Sequence, residues 1–198
     1  QTRIGQISQL VNMKIGIYGG SFNPIHFGHI GLAKWVVENT DVDEVWLMVS
    51  PNNPLKDKTI LADEQERLAA AKRAIGDGLL AIGKRIVVSD FEFHLPRPTY
   101  TANTLRALAK EYPEHEFTLI IGEDNLHIFD QWREYQYILN NYRVFVYPRR
   151  EGDGAMGREG DEAMRREGDE AMRRWGDEAM GREGDEGMIY LAGAPYFD

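Results

Sequence analysis

The amino-acid sequence predicts an α/β protein built on a doubly wound parallel sheet, with a low-complexity polar insertion near the C-terminus. Three observations carry this expectation. Short runs rich in Ile, Val and Leu alternate with longer segments whose apolar residues recur at helical spacing. The run EVWLMVS at 44–50 is almost continuously apolar, the mark of a strand covered on both faces. From residue 150 onward the pattern is replaced by a polar octad repeat that lacks any apolar stripe.

The elements follow in order. Residues 14–18 (KIGIY) form a first strand. Residues 26–39 form a helix, with Ile30, Ala33, Val36 and Val37 on one side. Residues 44–50 form the second strand. A helix over 63–75 begins at Asp63, an N-cap, with Glu66 three residues on as its capping-box partner. Residues 85–89 (RIVVS) form a strand and 101–111 a helix, the latter with Leu105 and Leu108 three apart. Residues 117–121 (FTLII) form a strand, 132–140 a helix, 143–147 (RVFVY) a strand, and 188–192 (MIYLA) a last strand. In a parallel sheet of this kind, ligands bind at the carboxyl ends of the strands.

Length and composition narrow the class. A chain of 198 residues suffices for one such domain with a real core. The absence of cysteine excludes disulfides and thiolate metal sites and favours a cytoplasmic protein. No apolar run reaches the ~20 residues of a membrane helix. The opening QTRIGQISQLVN has no apolar core of a secretory signal and is read as a tag or extension, with Met13 as a start. The net charge of −9 is uneven: residues 150–188 hold thirteen acidic residues and seven Arg, the rest nineteen acidic and sixteen basic. The remainder is therefore nearly balanced, which argues against a general nucleic-acid binder. The expected organisation is 1–12 extension, 13–149 core, 150–187 insertion and 188–198 the core's last strand.

The insertion reads REGDGAMG, REGDEAMR, REGDEAMR, RWGDEAMG, REGDEGM, and holds five of the seven methionines. Eight residues advance a helix about 80° past two turns, so the Met side chains spiral. A Gly in each octad weakens a helix by about 1 kcal/mol. A polar, mobile segment is the expectation.

The strongest signal is Gly19-Gly20-Ser21-Phe22-Asn23-Pro24-Ile25-His26-Phe27-Gly28-His29, between the first strand and the first helix. Glycines let backbone approach a ligand closely, and free N–H groups at a helix start favour phosphate. His26 and His29, three apart, share a face and suit hydrogen bonding to a polyphosphate as charge shifts in a transition state. This string resembles the GGxFxPxHxGH signature of the HxGH nucleotidyltransferases, without gaps. The resemblance implies a Rossmann-like fold and ATP binding through Gly19, Gly20, Ser21, Phe22, His26 and His29. It also implies attack on the α-phosphorus with release of pyrophosphate and no covalent intermediate, His26 and His29 being the catalytic residues. ATP chemistry implies Mg²⁺ carried mostly by phosphate and water.

Within that superfamily other segments resemble the nicotinate-nucleotide adenylyltransferases. Ser50-Pro51-Asn52-Asn53-Pro54-Leu55-Lys56 leaves the second strand; Asn53 and Lys56 would hold the substrate, Lys56 at the mononucleotide phosphate. Pro98-Thr99-Tyr100-Thr101 resembles the family's SYT segment with Thr99 in place of Ser; Thr101 would contact the nicotinate end, cap the helix, or both. Ile121-Gly122-Glu123-Asp124 resembles IGxD, with Gly122 allowing close nucleotide approach and Asp124 accepting from a ribose hydroxyl. Trp132-Arg133-Glu134-Tyr135 resembles W-x-x-Y, Trp132 stacking on the pyridine ring or packing in the core. Arg133 stands where many relatives carry Tyr. Arg149 is a candidate phosphate contact. ATP and nicotinate mononucleotide are the implied substrates and deamido-NAD the product.

After the strand at 188–192 the family continues into an I-S-S/A-T-x-I-R segment that holds ATP phosphates; the resemblance stops at Asp198, so a chain of weak or no activity is one expectation. A pantetheine-phosphate adenylyltransferase and a catalytically incomplete nucleotide-binding module stay open. His94, His115 and His127 share no metal-ligand spacing and are read as surface or loop residues, with no protein metal site expected. Asp41, Asp43 and Glu44 are read as charges where the first helix ends and the second strand begins.

Overall fold

The computed structural model describes residues 12–51, 63–76, 86–148, 187–191 and 193–194. Asn53, Lys56, Arg149 and the octads up to residue 186 lie outside them. The chain runs β1 (Lys14–Gly20), α1 (Phe27–Asn39), β2 (Glu44–Val49), α2 (Glu64–Gly76), β3 (Ile86–Ser89), a 3₁₀ turn (Phe91–His94) and α3 (Thr101–Glu111). It continues with β4 (Glu116–Gly122), a single turn α4 (Glu123–Leu126), a second 3₁₀ turn (Phe129–Gln131), α5 (Tyr135–Asn141), β5 (Arg143–Tyr147) and β6 (Met188–Tyr190).

The strands form one sheet in the order β3-β2-β1-β4-β5-β6. Every pairing is parallel, from Val45 opposite Ile86 at one side to Val144 opposite Met188 at the other. This is the doubly wound arrangement expected from the alternation of strands and helices. Because side chains alternate across a strand, each apolar run feeds two cores. Trp46, Met48, Leu119, Ile121, Val144 and Val146 pack on one face with Leu105 and Leu108 of α3 and Ile138 of α5. Val45, Leu47, Val49, Ile120 and Phe145 pack on the other with Leu32, Ala33, Val36 and Val37 of α1 and Leu68 of α2.

The amino ends of the strands are tied by charge. Asp41 pairs with Lys14 (2.7 Å) and Arg143 (3.0 Å). The Asp43 carboxylate accepts from the Lys14 backbone N–H at 2.8 Å. Glu44, buried, accepts from the Trp46 indole N–H at 2.6 Å. Thus, of the three acids expected to be simple boundary charges, Asp41 ties β1 to β5 and Asp43 ties the entry of β2 to β1, while Glu44 makes its bond within β2. Asp63 caps α2 as expected, accepting from the backbone N–H groups of Gln65 (2.8 Å) and Glu66 (3.3 Å).

Three expectations need correction. The helix expected over 132–140 starts at Tyr135, because Glu134 adopts φ 57, outside the right-handed helical region. Trp132 instead closes the second 3₁₀ turn in an extended conformation. Thr101 does not cap α3: Tyr100 is the N-cap residue and no side chain caps that end. His115 is no surface residue but is 7% exposed, its ring stacked parallel on Tyr112 at 5.9 Å.

Candidate active site

The sheet order reverses between β1 and β4, since the chain leaves β1 toward β2 and β3 and returns to β4 on the other side. Loops leaving the carboxyl ends of two such strands diverge and open a crevice. Here they enclose a cleft of about 550 Å³ lined by the Gly19–Pro24 loop, His26, His29, the 99–101 segment, Gly122, Asp124, Trp132 and Arg133. All described residues proposed from sequence as site residues therefore meet in one cavity.

Its floor is set by two glycines with different roles. A side chain at Gly19 would enter open space, so the gap there is room for a ligand. A side chain at Gly122 would collide with the Asp124 carboxylate and lie 3.2 Å from the Tyr147 ring. Gly122 thus makes space for the protein's own Asp124 and Tyr147 where it lines the cleft. Between them Phe22 takes φ 45, a conformation rare for a side chain of its size, and its ring is buried at 2% exposure. That ring meets His29 edge-on at 5.1 Å and Tyr18 at 5.7 Å. Phe22 therefore supports the imidazole from beneath.

The histidines are oriented by the start of α1. His26 is its N-cap, and His26 Nδ1 accepts from the Gly28 backbone N–H at 3.2 Å. The His26 backbone N–H in turn donates to His29 Nδ1 at 3.2 Å. Each ring thus receives a hydrogen bond at Nδ1, which places the proton of a neutral imidazole on Nε2. The rings lie 3.8 Å apart between centroids. Both rings line the cleft at the first turn of a helix, whose dipole favours an anion.

The opposite wall comes from α3 and the 3₁₀ turn before α5. Trp132 packs on Phe129 at 5.2 Å between centroids, so its core-packing role is present while the residue also lines the cleft. Its buried indole N–H has no hydrogen-bond partner among the described residues. Thr101 is the first residue of α3 and also lines the cleft.

Sequence reasoning missed several residues. Glu92 lies on the cleft wall at 6% exposure and accepts from the Thr104 hydroxyl at 2.8 Å. Burial pushes its carboxyl above the usual carboxylate range, while the hydroxyls of Thr104, Ser50 and Thr99 pull it back. Tyr18 and Tyr147 join hydroxyls at 3.1 Å across the cleft, and no spacing in the sequence couples two residues so far apart. Arg67 of α2, 3% exposed, donates to the carbonyls of Ser21, Ser50 (2.9 Å) and Pro51 (3.0 Å). Among the described residues no group of three His, Asp or Glu side chains is placed to hold a metal ion, and no helix is long and apolar enough to cross a membrane.

The family model described as cytidylyltransferase-like matches residues 17–183. A protein of Flavobacterium psychrophilum named probable nicotinate-nucleotide adenylyltransferase is 47% identical over 141 residues, which span 71% of this chain and 70% of that protein. One of the same name from Bacteroides fragilis is 49% identical over 140 residues, spanning 71% of this chain and 67% of it. The fold is similar to that of Plasmodium falciparum nicotinic acid mononucleotide adenylyltransferase solved with NaAD, with a TM-score of 0.64 at 19% identity, covering 91% of this chain and 76% of that one.

Proposed function

Because the chain belongs to the nicotinate-nucleotide adenylyltransferases of the cytidylyltransferase-like family, we propose that it transfers the adenylyl group of ATP to nicotinate mononucleotide, giving deamido-NAD and pyrophosphate in NAD biosynthesis. The observation that supports this most is the pair of imidazoles lining the cleft at the start of α1, each with its Nδ1 held by a backbone N–H, at the point where the sheet order reverses.

A 5′-phosphate oxygen of the mononucleotide attacks the α-phosphorus of ATP. The bond from that phosphorus to the bridging oxygen breaks, and pyrophosphate carries away the electron pair. Charge grows on the bridging and non-bridging oxygens as the bonds exchange, so donors already in place stabilise the transition state more than the ground state. His26 and His29 supply such donors through Nε2. The backbone around Gly19, Gly20 and Ser21 closes on the phosphates, with Phe22 holding His29 in place. Asp124, beside Gly122, accepts from the nucleoside. Trp132 offers a flat face to the pyridine ring and Thr101 the start of α3 to its substituent. Asn53, Lys56 and Arg149, outside the described residues, are assigned to the mononucleotide by resemblance. A divalent cation such as Mg²⁺ would accompany ATP and neutralise charge on its phosphates, since among the described residues no group of three His, Asp or Glu side chains is placed to hold it. Catalysis is then positioning and electrostatics.

The test is incubation of the chain with ATP, Mg²⁺ and either nicotinate mononucleotide or phosphopantetheine, with separation of the products. Deamido-NAD and pyrophosphate from the first mixture alone support the reading. Dephospho-coenzyme A from the second would replace it with the pantetheine-phosphate reaction, and no product from either would leave a nucleotide-binding module.

A further inference from the structure

Resting on the reading above, we infer that Arg133 is a specificity-determining residue that selects a pyridine mononucleotide bearing a carboxylate over one bearing an amide.

The electrostatics of the cleft single this residue out. Among the described residues that line it, Arg133 is the one Lys or Arg side chain. Its guanidinium lies 4.9 Å from the centre of the Tyr100 ring, and Tyr100 is the N-cap residue of α3. Contact with an aromatic face restrains a guanidinium while leaving its N–H edge open. No described carboxylate pairs with it. The neighbouring Arg106, by contrast, is paired with Glu134 at 2.6 Å. The helix start beside it has no side-chain cap, so two positive features, a whole charge and a helix dipole end, converge on one corner of the cleft.

A guanidinium and a helix start, neither of them paired with a carboxylate among the described residues, suit a planar anion. A carboxylate meets the guanidinium fork with two parallel charge-assisted hydrogen bonds. A carboxamide offers one neutral oxygen, and its N–H₂ would face donors. The carboxylates that line the cleft, Glu92 and Asp124, reach it from other elements: the 3₁₀ turn after β3 and the single turn α4 after β4.

Calorimetric titration of the whole chain with nicotinate mononucleotide and with nicotinamide mononucleotide tests this without requiring turnover. The wild type is expected to bind the acid more tightly. Arg133→Gln, exposed and similar in length, should lower the acid-to-amide affinity ratio about tenfold, equal to about 1.4 kcal/mol. Arg133→Lys, which keeps the charge but not the fork, should fall between. A ratio unchanged in Arg133→Gln, or a parallel loss of both affinities, would overturn the inference. Acid binding with no deamido-NAD formed would count against the proposed function while the ratio still judges Arg133. A wild type that binds neither compound would overturn both.

Discussion

At the scale of single residues, the difference between a surface charge and a working one lies in what it faces. Asp41 illustrates this outside the cleft. The Arg143 guanidinium and Lys14 beside it hold its carboxyl down at about 2, against an ordinary 3.8. A carboxyl whose folded value is depressed adds stability that is present above the unfolded value and disappears as pH falls toward the folded one. The window is therefore between about pH 4 and pH 2. Asp41 is partly exposed, so the effect at neutral pH is small: Asp41→Asn should cost under about 1 kcal/mol in denaturant unfolding. It should also flatten the loss of stability on acidification through that window. An acid transition as steep as in the wild type would show that Asp41 does not carry it. The histidines obey the same logic with donors in place of charges. Backbone N–H groups occupy both Nδ1 atoms, which leaves the proton of each neutral ring on Nε2. That orientation was partly legible in the His-x-Gly-His spacing. The burial of His115 was not, since nothing local in Glu114-His115-Glu116 signals a ring stacked on Tyr112.

Elements position the site through their connections. The Gly19–Pro24 loop and the exit of β2 are the two sides of the crevice nearest α2, and Arg67 holds both by three carbonyl oxygens. Burial pushes its pKa down, partly offset by Glu64 and Asp63. Removing the guanidinium would strand those carbonyls. Arg67→Met should therefore lower stability by about 2–4 kcal/mol, measured by thermal unfolding, with Arg67→Lys recovering part of it. A loss below about 0.5 kcal/mol would mean the two loops hold their places unaided. The helical periodicity of 63–75 made α2 legible, with its cap, but periodicity cannot report a cation turned inward to satisfy distant carbonyls. The same limit explains the helix start misplaced at Trp132. A left-handed Glu134 carries no sequence signal of its own, and the 3₁₀ turns at Phe91–His94 and Phe129–Gln131 are too short to show a period.

At the scale of the whole molecule, the sheet order does the selecting. The four inner strands could be read almost residue by residue, because strands buried on both faces are continuous apolar runs, and the edge strands β3 and β6 showed as shorter apolar runs. Their order could not be read from any one of them. Only its reversal between β1 and β4 brings the Gly19–Pro24 loop, the start of α3 and the Trp132 turn to one cleft. The octad sequence lies between β5 and β6, neighbouring parallel strands that need a crossover of only about a dozen residues. Replacing residues 150–187 by a 12-residue Gly/Ser linker should leave kcat/KM within about threefold and change stability by about 1 kcal/mol, the loop-closure difference. A larger loss in either would give the octads a role in the site or the core. The central claim is that this cleft makes His26 and His29 transition-state donors. The direct measurement is kcat and KM for ATP of His29→Ala beside the wild type, read as deamido-NAD formed. The account predicts a fall in kcat of about 100- to 1,000-fold, with KM for ATP changed by only a few-fold. An unchanged kcat, or a loss confined to KM, would contradict it.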